Sequence, residues 1–365
     1  MPALPTTSSR ASADYRPAFV PVTGAGGLPS SPACRQGLDT MRDGYVERTV
    51  TTSDGVRLGV RDYGGAGAGI HTLVLLHGLC LTQESWELPI RQLVRRWDNT
   101  VRIITYDHRG HGRSSSAPMH SYRIDRLAAD LAEVLAALRI TGPLTLAGHS
   151  MGGMTALAYL GRPAVHRPVE PHGLVLIATA AGRLAERGLG RLLATPATKI
   201  LFEVVQRMPQ GSTDRAIRAL VRPVGDAVIR YRGQRSCHRS ALAAVAASAI
   251  RTTSLRTAAG FLPSLRRYDQ NHALASIAAN TIVVSGGADV LTPASHARDL
   301  HAAIPGAAHL HRPNAGHMLL QDEPHCISEA INCAMMGMQH RPGRAANVWA
   351  SRDSSAAPQL DAAAS

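Results

Sequence analysis

Short apolar runs, separated by segments of helical periodicity, constrain the fold of this chain more than any other feature. The runs lie at 71–78, 101–110, 143–150, 173–179 and 280–289, and a weaker one lies at 307–317. Several are apolar on both faces, which is typical of parallel strands that are covered on both sides. Before them, residues 45–64 predict a hairpin with Asp54 and Gly55 in its turn.

Helical segments lie between these runs. Residues 124–139 place Ile124, Leu127, Leu131 and Leu135 at the spacing of one helix face. A second helix is predicted over residues 82–97, with Thr82 as its N-cap. Strands that alternate with helices predict an α/β fold with a doubly wound, mostly parallel sheet.

The chain is predicted to consist of a core, an inserted lid and two tails. Residues 181–271 show helical periods of Ala, Leu and Arg without a convincing strand, so they predict a helical lid between the fourth and fifth parallel strands. The α/β core is assigned to 43–180 and 272–340. Residues 1–42 and 341–365 lack periodicity and are predicted to be a disordered leader and tail, with Met41 as an alternative start.

Positive charge is concentrated in the predicted lid. The chain has a net charge of +13, and the segment from Arg183 to Arg267 contains fifteen arginines and Lys199 against four acidic residues. One interpretation is weak contact with an anionic membrane surface, or with an acidic substrate. The other is a solvated surface in a chain that favours Arg, since Lys199 is the only lysine. Aromatic residues make up 4% of the chain and no nucleic-acid motif is present, which argues against a nucleic-acid partner.

Cysteine usage predicts a reducing compartment. The chain has five cysteines and no CxxC pair, which fits neither a disulfide framework nor a zinc site. No secretory signal is recognisable at the N-terminus. We therefore predict a cytoplasmic protein without a metal site.

The segment Gly148–Gly152, which reads GHSMG, places a serine where a strand turns into a helix. Such a turn exposes the hydroxyl of Ser150. The hydroxyl becomes an effective nucleophile when a base accepts its proton. His317, on a Gly-containing loop after the last apolar run, is the candidate base. Asp289, at the end of a predicted strand, is the candidate acid that orients it. The alternatives are an ordinary loop histidine and a turn aspartate.

Backbone amides near Ser150 are expected to stabilise a developing oxyanion. The N–H groups of Leu79 and Met151 are the candidate donors, and Gly78 allows a close approach. We assign His77, Gly78 and Trp86 to substrate binding, with packing in a helix core as the alternative for Trp86.

The turn at 107–111 and one thiol have non-catalytic interpretations. Asp107, Arg109 and His111 are interpreted as parts of a hydrogen-bonded structural turn. Cys80 borders the oxyanion loop and is interpreted as a packed thiol.

Five motifs resemble the α/β-hydrolase fold superfamily, most closely its monoglyceride lipase and carboxylesterase-like branches, over residues of about 45–340. They are HG at 77–78, YDHRGHGRS at 106–114, GHSMGG at 148–153, GGADVLTP at 286–293 and NAGH at 314–317. The resemblance implies a triad of Ser150, Asp289 and His317, with oxyanion donors at Leu79 and Met151. It also implies a helical lid at 181–271. Serine rather than aspartate at position 150 argues against epoxide hydrolase or dehalogenase chemistry.

These features predict a serine hydrolase that cleaves small apolar carboxylic esters through an acyl-enzyme, without a cofactor, in lipid metabolism. The same triad would also serve C–C bond hydrolysis, thioester hydrolysis or acyl transfer. A non-enzymatic ligand receptor on the same fold is a further alternative. The oligomeric state is left open.

Overall fold

A nine-stranded sheet forms the centre of the computed structural model, which describes residues 41–42, 44–64, 69–207 and 253–337. The strands are β1 (Met41–Arg42), β2 (Tyr45–Thr51), β3 (Arg57–Tyr63), β4 (His71–Leu76), β5 (Val101–Tyr106), β6 (Leu144–His149), β7 (Pro171–Ile177), β8 (Asn280–Gly286) and β9 (Ala308–Arg312). Their order across the sheet is β1-β2-β3-β5-β4-β6-β7-β8-β9. Pairing is antiparallel from β1 to β5 and parallel from β5 to β9. The predicted α/β class with a mostly parallel sheet is confirmed.

Helices cover both faces of this sheet. Those of the described residues are α1 (Glu87–Trp97), α2 (Ile124–Ala137), α3 (Met151–Leu160), α4 (Pro196–Arg207), α5 (Leu255–Arg267), α6 (Asn271–Leu274), α7 (Ala294–Ala303), α8 (Leu319–Asp322) and α9 (Pro324–Met335). The predicted helix at 124–139 is α2. The one predicted at 82–97 begins with a 3₁₀ turn, Gln83–Trp86. Thr82 makes no side-chain cap, which corrects that prediction, because the Asp107 carboxylate accepts from the Gln83 N–H at 2.8 Å instead.

Strand β4 shows why the central strands read as apolar on both faces. Leu73 and Leu75 are buried in one hydrophobic cluster together with α1 and α9. Val74 and Leu76, which alternate with them, are buried in a second cluster with α2, α3 and α5. Each fully buried leucine stabilises the fold by about 1.5–3 kcal/mol relative to an exposed one. The two clusters therefore fix which face of the sheet each helix covers.

Between β7 and β8 the described residues are mostly helical. They form the 3₁₀ turns Leu184–Glu186 and Gly188–Ala194 and the helices α4, α5 and α6. Residues 208–252, with eight of the fifteen arginines counted above, lie outside the described residues. The exact limits of the predicted lid stay a prediction. The predicted leader and tail also lie outside the described residues, apart from the short strand β1. Within the described ranges, no helix has the length and apolarity needed to cross a membrane.

The loop after β5 is a hydrogen-bonded turn, as predicted. Asp107 accepts from the N–H groups of Gln83 and Arg113 at 2.8 and 2.9 Å. The fully buried guanidinium of Arg109 donates twice to Asp130, both times at 2.7 Å, and also to Asp54. These bonds tie the loop to α2 and to the turn between β2 and β3.

Candidate active site

Ser150 lies at a sharp turn between β6 and α3. Its backbone has φ of +52° and ψ of −117°, a conformation that L-residues adopt only under strain. The turn is tight because a methyl group at Gly148 or Gly152 would collide with backbone atoms of Gly153 or Leu76. The Ser150 N–H donates to the carbonyl of Ile177 on β7 at 2.9 Å. The strain at the serine is therefore maintained by the packing of strand against helix.

His317 and Asp289, which come from loops after β9 and β8, form a buried pair. His317 Nδ1 donates to Asp289 Oδ2 at 2.8 Å. Asp289 Oδ1 accepts from the N–H groups of Leu291 and Thr292 at 2.8 and 2.9 Å. Burial alone would raise the pKa of Asp289, but the adjacent His317 and the hydrogen bonds from Thr292 lower it below its usual value. The ionised carboxylate keeps the proton of His317 on Nδ1 and leaves Nε2 as an acceptor.

Ser150 and His317 both line one cavity of about 230 Å³. Its walls are mainly apolar side chains, namely Leu79, Leu81, Met154, Leu184, Leu193, Leu262, Leu265 and Leu291. Among the described residues, no Asp, Glu, Lys or Arg lines it. Asp289 contacts His317 from behind this wall. The arrangement suits a nucleophile and a base in a largely apolar environment.

The two candidate oxyanion donors also lie at this cavity. Met151 is the first residue of α3, so its N–H has no intrahelical acceptor. In the part of the chain that the structure describes, no hydrogen bond uses the N–H of Leu79. A Cβ at Gly78 would lie 3.2 Å from the Cβ of Ser150, so the loop after β4 passes very close to the serine. Ser150, Leu79, Met151 and Gly78 therefore all line the same cavity.

His77 and Trp86 do not line the cavity, which corrects their assignment to substrate binding. His77 is fully buried; its Nδ1 donates to the Gly78 carbonyl at 2.8 Å, and its Nε2 accepts from the His108 N–H at 2.9 Å. Trp86 is also fully buried, in the cluster with α1 and α9. Its sequence position was compatible with a side chain in the cavity or in the helix core, and the structure places it in the core.

Sequence reasoning missed two side chains that surround His317. Thr292 Oγ1 lies 2.7 Å from Asp289 Oδ2, 2.8 Å from the Ala178 carbonyl and 3.3 Å from His317 Nδ1. His149 Nε2 donates to the carbonyl of His317 at 2.8 Å, and burial lowers the pKa of His149 to about 3, so the ring is neutral. The spacing Asp-x-x-Thr was the available signal for Thr292.

Two other chemistries receive no support from the described residues. No group of three His, Cys, Asp or Glu side chains there is arranged to bind a metal ion. Burial raises the pKa of the Cys80 thiol to about 12, so a nucleophilic thiolate at the cavity is strongly disfavoured. Ser150 therefore stays the candidate nucleophile.

Comparison with known proteins gives consistent matches. The alpha/beta hydrolase fold family matches residues 71–324. The sn-1-specific diacylglycerol lipase ABHD11 of Mus musculus is 27% identical over 265 residues, which cover 72% of this chain and 80% of that protein. The non-heme chloroperoxidase of Streptomyces lividans is 36% identical, but over only 31% of this chain and 39% of its own length. The crystal structure of a hydrolase from Pseudomonas aeruginosa PA01 matches with a TM-score of 0.59 and 26% identity, over 80% of this chain and 98% of that one.

Proposed function

The chain belongs to the α/β-hydrolase fold family, and from this premise we propose that it is a serine hydrolase that cleaves carboxylic esters. The observation that supports this most directly is the buried His317–Asp289 pair at 2.8 Å beside the strained Ser150 in one apolar cavity. A strained serine, a base and an oriented acid are the groups that acyl transfer requires.

In the acylation half-reaction, the Ser150 hydroxyl attacks the ester carbonyl while His317 Nε2 takes its proton. Asp289 stabilises the resulting imidazolium through the Nδ1 hydrogen bond. The N–H groups of Leu79 and Met151 donate to the tetrahedral oxyanion. When the intermediate collapses, His317 returns the proton to the leaving alkoxide and the alcohol departs.

Deacylation repeats these steps with water. His317 takes a proton from the water as its oxygen attacks the acyl-enzyme carbonyl. The second intermediate then collapses to release the acid and restore the Ser150 hydroxyl. All proton transfers pass through His317, so the mechanism needs no group beyond those described.

The cavity lining supports an uncharged, apolar acyl group as the substrate moiety. Its leucine and methionine walls would bury such a group, and the described lining offers no charge to pair with an anionic substrate. The similarity to a mouse protein named a diacylglycerol lipase points in the same direction. C–C bond hydrolysis, thioester hydrolysis and acyl transfer remain competing uses of the same three residues.

The test is hydrolysis of 4-nitrophenyl esters of increasing acyl length by the full-length protein, alongside thioesters and vinylogous diketones. We expect ester turnover, labelling by a fluorophosphonate probe, and a loss of both in Ser150→Ala. If the triad acts as a unit, the loss of kcat is on the order of 10⁶-fold. Ser276→Ala is the matched control, because Ser276 lies on the loop after α6, outside the cavity lining.

Two outcomes would contradict the proposal. Labelling that survives Ser150→Ala would identify another nucleophile. Turnover of a thioester or diketone far above that of every ester would assign the same triad to a competing reaction.

A further inference from the structure

The loop that presents the Leu79 N–H is bound on both sides by neutral histidines. His77 Nδ1 donates to the Gly78 carbonyl at 2.8 Å, and this carbonyl belongs to the same peptide group as the Leu79 N–H. The next peptide group contains the Cys80 N–H, which donates to His111 Nε2 at 3.2 Å. Both peptides that flank Leu79 are therefore fixed by imidazole rings.

We propose that His111 is a positioning residue for the oxyanion site, because it fixes the peptide between Leu79 and Cys80 and thereby the direction of the Leu79 N–H. The inference rests on the proposed function, in which Leu79 donates to the oxyanion. His111 itself does not line the cavity and does not touch the reacting atoms.

The tautomer of His111 follows from its two partners. Its Nδ1 lies 3.1 Å from the Arg109 carbonyl, which only accepts, so Nδ1 bears the proton. Its Nε2 is then the lone pair that accepts from Cys80. The ring is fully buried, and burial, together with nearby His77, lowers the pKa of His111 to about 3. The ring therefore remains neutral and able to accept at ordinary pH.

The backbone of Cys80 explains why an acceptor is needed there. Cys80 has φ of +61°, a left-handed conformation that costs roughly 1–2 kcal/mol for a residue other than glycine. Its N–H is buried, and leaving it unpaired would cost a further 1–3 kcal/mol or so. Without the acceptor at position 111, the loop would relax by turning this peptide. Such a turn would shift Leu79 and, through it, the adjacent peptide group that contains the Leu79 N–H.

The segment between β7 and β8 fixes His111 from the opposite side. His111 forms an isolated antiparallel β-bridge with Thr253, and its ring centroid lies 5.9 Å from that of Phe261 on α5. Thr257, also on α5, donates to the Gly110 carbonyl at 3.3 Å. The segment between β7 and β8 thus contacts the same His111 ring that accepts from the Cys80 N–H.

Three variants separate this role from a purely structural one. His111→Leu removes the acceptor, His111→Gln offers an amide oxygen near the position of Nε2, and His71→Leu is the matched control. His71 Nε2 also makes a hydrogen bond, to Thr145 Oγ1 at 2.8 Å, but it lies at the start of β4, the end of this strand that is remote from Leu79. If His111→Leu does not fold, His111→Asn replaces it, because the shorter amide does not reach Cys80.

The readouts are kcat and KM per active site titrated with a fluorophosphonate, and Ki for a trifluoromethyl ketone, whose adduct contains an oxyanion. We expect His111→Leu to lower kcat by about 10- to 100-fold, less than the 10²- to 10³-fold typical of deleting a donor. Ketone affinity falls by a similar factor, with KM nearly unchanged. His111→Gln restores most of kcat, and His71→Leu retains it.

Failure of the inference is distinct from failure of the proposed function. A wild-type protein without ester turnover or probe labelling would refute the proposed function. An active wild type with equal kcat per titrated site in His111→Leu, His111→Gln and His71→Leu would refute the positioning role alone. So would a drop in kcat that leaves the ketone Ki unchanged.

Discussion

Asp289→Asn is the substitution whose effect the structure defines most closely. Asp289 Oδ1 accepts two backbone N–H groups, so the oxygen of an asparagine has to remain there. Its NH₂ group must then replace Oδ2, 2.8 Å from His317 Nδ1 and 2.7 Å from Thr292 Oγ1. An amide N–H at that position requires an acceptor at Nδ1. The imidazole proton therefore moves to Nε2, where it blocks proton transfer from Ser150.

The expected loss of kcat follows from this non-productive tautomer of His317. The same exchange in a serine protease triad lowers kcat by about 10⁴-fold, and we expect a loss of that order here. It corresponds to about 5 kcal/mol in the activation free energy. KM should change little, because the side chain does not line the cavity. The assay measures kcat for a 4-nitrophenyl ester near neutral pH. The rate is divided by the concentration of folded protein.

Asp299→Asn is the control, because Asp299 is an exposed carboxylate on α7 that pairs with Arg187. It removes an equal charge near the same loop and should leave kcat unchanged. If Asp289→Asn retains kcat within tenfold of the wild type while Ser150→Ala is inactive, the carboxylate does not set the tautomer of His317. The argument would then be wrong.

Three further changes test the fold and the pH dependence. Gly152→Ala places a methyl group against the Leu76 carbonyl and should destabilise the protein by about 3 kcal/mol in urea unfolding; unchanged stability would contradict the tight turn. Asp130→Asn leaves the buried Arg109 charge poorly paired, so the free energy of unfolding should fall by about 3 kcal/mol. A fall of less than about 1 kcal/mol would mean that the pair is solvated. Because the folded pKa of Asp289 is lowered, its carboxylate contributes stability above its usual pKa of 3.8, and this is lost as pH falls through the lower folded value. The difference in unfolding free energy between wild type and Asp289→Asn should thus shrink as the pH falls below 3.8; a constant difference would contradict the shift.

The strands were predictable because burial on both faces leaves a direct trace in the residue types. β4 has Leu73 and Leu75 toward one cluster and Val74 toward the other, and this produces an unbroken apolar run. The position of β5 between β3 and β4 leaves no such trace, because strand order depends on long-range packing. Local hydrogen bonds were equally hidden, as the capping of Gln83 by Asp107 shows.

The positions of the candidate triad were predictable, since Ser150, Asp289 and His317 each follow a strand at the same edge of the sheet. The directions of neighbouring side chains were not. Trp86 and His77 both lie near this edge, yet both turn into the interior. Sequence position places a residue at the edge of a sheet, but packing decides whether its side chain faces the cavity or the core.

The residues proposed for proton transfer and the leucines that shape the cavity lie on separate stretches of this chain. The proposed nucleophile, base and acid follow strands of the sheet, while Leu193, Leu262 and Leu265 line the cavity from the segment between β7 and β8. A mutant library confined to those three leucines would therefore alter which acyl groups fit without disturbing the relay. The leucines that would select the substrate can therefore change while the residues proposed to react stay the same.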